Sequence, residues 1–597
     1  MGLEPIRQRH TPLKRACLPI PALPHFSNAR VIISAWEGNV KNFFYFFLII
    51  YIFSAKTHIK PKKGGFFTKK RLAAFLFVFC ALLGGVILRV AYISVSGGEV
   101  SAAVIQSRKK LELAKSRAGI FDRNLEPLVN RDYERRLLIF PDLLEIPAIL
   151  DFTDREELAE AFQRFEPTVM DTGGKIIEGE GIFNFSYPKR YSEKTSAPHI
   201  IGYMNGGKGV FGIEKSYNSF LEENSSSVSV VYHTDGTGRL LPGEEIILEE
   251  EKTAENCGVV LTIDANIQKA AEKALAKGVQ KGAAVVMDIE NGEIIAAASV
   301  PEFDPGNVAD YLSSKDSPFI NRAFTAYSVG STWKLVVAAA ALECGIPPSR
   351  NFECTGSLTV DGRIYKCHWE QGHGKIDMKR ALEISCNPYF ISLAEEIGGE
   401  RILETAKNLG FGVPSYFGEG FSSAPGKLPS EESLSAKTVL ASFAFGQGSL
   451  MATPLQLAAL SSAIANGGKA VTPKLVLGTY DRSGNYEEEP EYSPNPVMSE
   501  KTAKILREMM ISVVENGSGG NAKPKGSSAG GKTASAQTGQ FDSGGNEIIH
   551  AWFLGFFPAE NPKYAVSVLG EGMNSGGDFA APVFGEICEE IHLLKYD

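Results

Sequence analysis

The sequence predicts a mixed α/β (α+β) fold, a central sheet packed between helices, set behind one membrane-spanning helix. Three observations predict it. Apolar, strand-like runs at Ala283–Met287, Ile294–Ala298, Ala551–Phe557 and Tyr564–Leu569 enclose a mostly helical middle from Ser331 to about Ala465. Strands at both ends enclosing helices argue for a sheet covered by helices. Asn291-Gly292, between the first two runs, is a hairpin signal that makes those strands antiparallel neighbours. From Leu72 to Leu88, seventeen residues carry no charge, and the apolar character resumes after Arg89 through Val95. That length spans a bilayer, with Arg89 reaching back to the far interface.

At 597 residues the chain exceeds one ordinary core, so two or three folded domains are expected. Its 44% hydrophobic and 22% charged content is that of a globular protein. A formal net charge of -8 gives no general electrostatic reason to expect nucleic acid as partner. Eight cysteines over this length are not a disulfide framework.

Residues 1–64 contain Phe43–Phe53, eleven apolar residues, short for a span and flanked by stretches without periodicity. They read as an N-terminal extension, disordered or outside the mature fold, with an interfacial segment as the alternative. Lys60, Lys62, Lys63, Lys69, Lys70 and Arg71 then precede the apolar helix. Such a cluster stays cytoplasmic. Residues 70–95 are expected to be an uncleaved anchor, because the run is long and no small-x-small cleavage site follows closely. The rest of the chain would face outward, although Arg108, Lys109 and Lys110 blunt the charge asymmetry.

Residues 96–250 mix short strands and helices and hold no convergent catalytic set. Their landmarks are Ser116–Asn124 (a strand, then a turn), Arg190-Tyr191, His199–Tyr203 and Gly212–Lys215. Acidic Glu244–Glu255 reads as a solvated connector. A second domain, 258–597, opens with a strand at Val259–Ile263 and a helix at Ile267–Leu275. Glu515–Gly531, rich in Gly, Ser and Asn, reads as a mobile loop.

Gly330-Ser331-Thr332-Trp333-Lys334 leads into the apolar run Leu335–Leu342. A hydroxyl and an amine three residues apart share a helix face and can hydrogen-bond. A helix apolar all round is buried, which carries Lys334 into a poorly hydrated site. Desolvation and the positive end of the helix dipole both disfavour its ammonium form. A neutral amine could take the Ser331 proton and turn the serine into a nucleophile. Spacing alone is a weak signal, since Ser107 with Lys110 and Ser186 with Lys189 repeat it.

Two further motifs give it company. Ser385-Cys386-Asn387 precedes Pro388, where a helix stops or a turn begins. Its serine and asparagine can point the same way, as a proton relay and an amide hydrogen-bonding group, though a turn satisfying its own backbone explains the pair equally well. Lys532-Thr533-Ala534-Ser535 follows Gly530-Gly531. Small residues in an edge strand let an extended peptide add alongside. Lys532, Thr533 and Ser535 would suit a terminal carboxylate, and without a ligand the segment is an exposed basic strand.

Serine-x-x-lysine, serine-x-asparagine and a lysine-threonine strand, in this order, resemble the motif set of penicillin-binding proteins and serine β-lactamases. Tyr327–Lys334 is similar to the family's nucleophile motif, with Val329 where proline is usual. Phe445–Gly448 with Thr453–Gln456 resembles its helix-pair signature, and His550–Phe553 the strand after the lysine-threonine strand. Arg117–Asn124 and Gly212–Lys215 are similar to the elongated pedestal of class B penicillin-binding proteins. The resemblance runs from the anchor to the C-terminus. It implies a pedestal over 96–250 and a transpeptidase domain with a central antiparallel sheet over 258–597. The implied activity is that of a bacterial peptidoglycan D,D-transpeptidase, single-pass in the cytoplasmic membrane with its catalytic domain outside, acylated by β-lactams. Ser331 would attack the penultimate D-alanine of stem peptides ending in D-Ala-D-Ala, with Lys334 as base. Ser385 would relay the proton, Asn387 hold the substrate amide, and Lys532, Thr533 and Ser535 bind the terminal carboxylate. Backbone N–H groups of Ser331 and Ser535 would form the oxyanion hole. No cofactor is required, and a separate membrane glycan polymerase is the implied partner. Ala534 departs from the family's glycine, and its methyl is expected to narrow the approach to the strand.

Cys354, Cys367, His373 and Cys386 bracket the serine-asparagine motif. Three thiols and an imidazole make a structural zinc site one reading, with His368 as a spare ligand. A Cys367–Cys386 disulfide is the second reading outside the cell, and unpaired thiols the third. The rival functions are a β-lactamase or D,D-carboxypeptidase on the same fold, and a non-catalytic β-lactam sensor or scaffold.

Overall fold

The computed structural model describes residues 69–96 and 106–594, apart from 145–158, 160, 161, 163–165, 172 and 242. The extension at 1–64 lies outside the described residues. The chain divides into two compact units, Met1–Ala103 and Val104–Asp597. The first contributes helix α1 (Lys69–Ser96). Within it Leu72–Tyr92, 21 residues, is long and apolar enough to cross a membrane. Phe75, Phe77, Leu82 and Leu88 are all exposed on it, the apolar surface that a bilayer would cover.

The second unit begins with β1 (Arg108–Ser116), β2 (Gly119–Phe121), β3 (Asp132–Ile139), β4 (Thr168–Asp171), β5 (Ile182–Lys189), β6 (Ser226–His233) and β7 (Ile247–Glu251). They form sheets in the orders β1-β6-β7 and β4-β3-β5, with β2 in a third. The acidic stretch expected as a connector is therefore partly strand. β7 pairs antiparallel with β6, and Glu249 binds Arg108 and Lys110, so its charge is answered across the sheet. Of the two repeats of the serine-lysine spacing, Ser186 and Lys189 both fall on β5, where residues three apart face opposite sides, and Ser107 precedes the start of β1, which carries Lys110.

Arg117, Arg190-Tyr191 and Glu214, from three of the sequence landmarks, meet in one buried ion cluster. Glu214 is fully buried and receives Arg190 Nε at 2.6 Å, Arg117 Nε at 3.3 Å and the Tyr191 hydroxyl at 3.0 Å. Arg190 Nη1 also donates to the Ala118 carbonyl at 2.7 Å. Three segments that look like separate fragments in sequence are thus tied to one carboxylate.

β8 (Gly258–Leu261) pairs in parallel with β2 and antiparallel with Val476–Tyr480, joining β2 to the C-terminal half of the unit. Then follow α2 (Ala265–Gly278), β9 (Gly282–Asp288), β10 (Ile294–Val300), α3 (Lys334–Glu343), α4 (Met378–Glu383), α5 (Asn387–Ile397), α6 (Pro454–Ala465), α7 (Glu500–Asn516), β11 (Gly530–Phe541), β12 (Glu547–Phe557), β13 (Tyr564–Gly570) and α8 (Ala581–Leu594). The sheet runs β10-β9-β13-β12-β11, antiparallel throughout. Strand alternation splits its apolar side chains between two cores. Ala283, Val285 and Met287 share one with α3, α5 and α6, while Ala284 and Val286 share the other with α2 and α8. β11 is left as an edge strand. The stretch expected as a mobile loop is instead packed: α7 continues to Asn516, and a 3-10 turn at Gly520–Ala522 buries Ala522.

Candidate active site

Ser331 sits on a 3-10 turn, Gly330–Trp333, that runs directly into α3. A 3-10 turn has three residues per turn, so Ser331 and Lys334 are aligned one above the other. Trp333 is fully buried between Phe411 and Phe443, and Trp552 Nε1 donates to the Ser328 carbonyl at 2.8 Å. The amide of Gly330 donates to the Gly446 carbonyl at 3.0 Å. Gly446 adopts φ +80°, and a Cβ there would lie 1.9 Å from the Gly330 oxygen, so only glycine supports this turn.

α3 is buried from Lys334 to Ala341, as its unbroken apolar run demands. Lys334 Nζ donates to the Ser385 carbonyl at 2.7 Å, to Ser385 Oγ at 3.1 Å and to Asn387 Oδ1 at 2.7 Å. Lys532, also fully buried, donates from Nζ to the same Ser385 Oγ at 3.1 Å and to the Thr533 carbonyl at 2.9 Å. Among the described residues neither lysine has a carboxylate partner. Two ammonium groups buried side by side without a counter-ion cost more than the site can repay, so the neutral amine is favoured. Burial pulls the Lys334 amine down to about 7, against a smaller opposing pull from the Cys386 and Cys367 thiols. Burial and then the charge of Lys334 hold Lys532 well below its usual range.

Ser385 adopts φ +52°, a left-handed conformation that is strained for a serine. The strain turns both its carbonyl and its hydroxyl toward Lys334. Asn387 opens α5 behind Cys386, so serine and asparagine do point the same way. The Ser331 hydroxyl is half-buried and takes no side-chain hydrogen bond among the described residues. The sequence suggests a Ser331–Lys334 hydrogen bond, but Lys334 Nζ is directed instead at the Ser385 carbonyl, Ser385 Oγ and Asn387 Oδ1.

On the edge strand, Thr533 Oγ1 lies 2.8 Å from Ser518 Oγ, and Ser535 Oγ accepts the Gly576 amide at 3.3 Å. Ala534 is buried in the main core, while Ser535 and Gln537 are exposed. By strand alternation the Ala534 methyl lies on the same face as Lys532, opposite Thr533 and Ser535. Ser518 escaped the sequence reading because Gly517-Ser518-Gly519-Gly520 carries only a loop signal. Cavities of about 590 Å³ beside Gly278 and Glu302 and about 850 Å³ beside Tyr133 and Lys189 contain none of these residues.

Cys354, Cys367, His373 and Cys386 lie together, their ligand atoms within 4.8 Å of one another. His373 Nδ1 is 3.6 Å from Cys354 Sγ and 3.5 Å from Cys367 Sγ, and the Cys367 and Cys386 sulfurs are 3.9 Å apart as free thiols. His368 Nδ1 stands further off, 3.9 Å from Cys367 Sγ. The hydrogen bond shared with Cys386 pulls the Cys367 thiol well below its usual range, and Cys386 is raised in turn. The cluster adjoins the Ser385 turn through Cys386 itself and through Asn387 Nδ2, which donates to the Lys366 carbonyl at 3.4 Å.

A family model described as penicillin binding protein transpeptidase domain matches residues 282–589. The chain is 30% identical over 573 residues to stage V sporulation protein D of Bacillus subtilis, covering 87% of this chain and 85% of that protein. It is 30% identical over 408 residues to the peptidoglycan D,D-transpeptidase MrdA of Acinetobacter baumannii, covering 63% of this chain and 60% of that one. Among solved structures, penicillin binding protein 3 of Mycobacterium tuberculosis shares 24% identity at a TM-score of 0.60, over 82% of this chain and 97% of that chain. The penicillin-binding protein of Helicobacter pylori solved in complex with MreC shares 24% identity at 0.61, over 82% and 100%. At these identities the structural likeness speaks for the fold.

Proposed function

Because this chain belongs to the penicillin-binding protein transpeptidase family, we propose that it is a membrane-anchored peptidoglycan D,D-transpeptidase working through an acyl-enzyme on Ser331. The observation that carries this reading is the meeting of two buried lysines without carboxylate partners on the Ser385 hydroxyl, one of them, Lys334, one turn beyond Ser331. Neutral Lys334 rotates from Ser385 toward Ser331 and takes its proton as Ser331 Oγ adds to the penultimate D-alanine carbonyl. Backbone N–H groups of Ser331 and Ser535 hold the oxyanion, a contribution of about 3–4 kcal/mol per donor. The tetrahedral adduct then collapses. Its C–N bond breaks, and the departing D-alanine amine receives the Lys334 proton through the Ser385 hydroxyl. A stem-peptide amine next attacks the Ser331 ester, gives a proton back along the same route, and Ser331 leaves as the hydroxyl.

Asn387 holds the substrate amide, and Lys532, Thr533 and Ser535 hold its terminal carboxylate. α1 anchors the chain with the basic cluster inside and the catalytic domain outside, beside a separate membrane glycan polymerase. Domain limits of 96–250 for the pedestal and 258–597 for the transpeptidase follow from this reading. The test supplies the full chain in detergent with a stem peptide ending in D-Ala-D-Ala and an amine acceptor. One D-alanine should be released per cross-link formed. Release without cross-links would instead mark a carboxypeptidase, and no release a scaffold.

The reaction needs no cofactor, and the cysteine–histidine set fits a structural zinc ion. Tetrahedral zinc with bonds of about 2.3 Å to sulfur and 2.0–2.1 Å to nitrogen sets ligand edges of about 3.8 and 3.5 Å. Three of the six ligand-atom separations, 3.9, 3.6 and 3.5 Å, match these edges, and all six lie within 4.8 Å. Cys354, Cys367, His373 and Cys386 would hold the ion, fixing Cys386 between Ser385 and Asn387. Metal analysis of the full chain should find one zinc, lost together with thiol protection when the four residues are alkylated under denaturation. Two missing thiols and no zinc would identify the Cys367–Cys386 disulfide, and freely alkylated thiols without zinc the unpaired state.

A further inference from the structure

Ser518 lies outside every motif the sequence displays, yet the fold ties it to two of them. Its amide donates to the Glu383 carbonyl at 3.0 Å, two residues before Ser385, and its hydroxyl lies 2.8 Å from Thr533 Oγ1 on the edge strand. The segment that carries it is built to one shape. Glu383 is buried, accepts the Ser512 hydroxyl at 2.6 Å from the end of α7, and pairs with Arg380 at 2.8 Å. A Cβ on Gly517 would lie 2.7 Å from the Glu383 carbonyl, and the Gly519 amide donates to the Val513 carbonyl at 3.0 Å. Ser518 is exposed at the rim, whereas Thr533 is only 7% exposed.

A threonine hydroxyl has one proton to give. If Thr533 spent it on Ser518, nothing would remain for an anion. If Ser518 donates to Thr533 Oγ1, the Thr533 proton stays free for a carboxylate, and the acceptor's polarisation strengthens that second bond. We infer that Ser518 is a positioning residue for the terminal carboxylate, acting through Thr533 by donating the hydrogen bond that leaves the threonine proton to the substrate. This rests on the carboxylate-binding role given to Thr533 above.

The experiment measures second-order acylation of the full chain by a penicillin and by the methyl ester of the same penicillin. Ser518→Ala should slow the free acid about tenfold, the scale of one hydrogen bond to a charged group, and leave the ester within about twofold. Ser518→Thr, which keeps the hydroxyl, should restore the acid rate. Thr533→Val, run in parallel, should show the same preference for loss on the acid. Equal losses on acid and ester in Ser518→Ala would mean a merely structural role and overturn the inference, as would no loss at all. A selective effect in Thr533→Val without one in Ser518→Ala overturns the inference alone. No selective effect in Thr533→Val overturns the carboxylate reading of Thr533 and the inference with it.

Discussion

Lys334→Ala should lower the rate of acylation by a labelled penicillin by about 10²–10⁴-fold, the range for loss of a positioned general base. Lys334→Arg should be no better, because a guanidinium does not deprotonate at accessible pH. In the unaltered chain the acylation rate should rise with pH and level off above about 7, where the Lys334 amine is mostly neutral. The sign follows from the cause. Burial depresses this lysine from its ordinary value, so the reactive neutral form is lost as pH falls through about 7. A rate unchanged from roughly pH 5 to 9 would contradict the base role of Lys334.

Glu214→Ala should destabilise the chain by about 3–5 kcal/mol, because it strands buried guanidinium groups without a counter-charge. Arg117 and Arg190 side chains are 8% and 10% exposed around a fully buried carboxylate. Glu214→Gln keeps the hydrogen-bond geometry and removes only the charge, so its loss should fall below that of alanine. Denaturant unfolding followed by tryptophan fluorescence reads both. A loss under about 1 kcal/mol in Glu214→Ala would mean that solvent enters the cluster.

Much of the site was legible because its chemistry is written in short spacings. The Ser331–Lys334 pair, the Ser385–Asn387 turn and the Lys532 strand each name their residues locally, and the fold only had to bring them together. Hairpin β9–β10 and strands β12 and β13 were equally plain, since Asn291-Gly292 and long apolar runs leave few alternatives. What sequence could not show is long-range satisfaction. Glu214 looks like an ordinary helix-start residue until Arg117 and Arg190 close on it. The acidic stretch at β7 reads as solvated until Arg108 and Lys110 face it, and Gly517–Gly520 reads as loose until Glu383 fixes Ser518. The orientation of Lys334 toward Ser385 was hidden for the same reason. Its acceptors come from a turn 51 residues away.

In the proposed mechanism Ser331 is the nucleophile of an acyl-transfer enzyme. Incubating the full chain with labelled penicillin, then locating the label by peptide mass, tests it most directly. One long-lived adduct is expected, on Ser331, vanishing in Ser331→Ala while Ser385→Ala still folds and acylates more slowly. Rapid turnover of the drug, an adduct on another residue, or no adduct at all would contradict it.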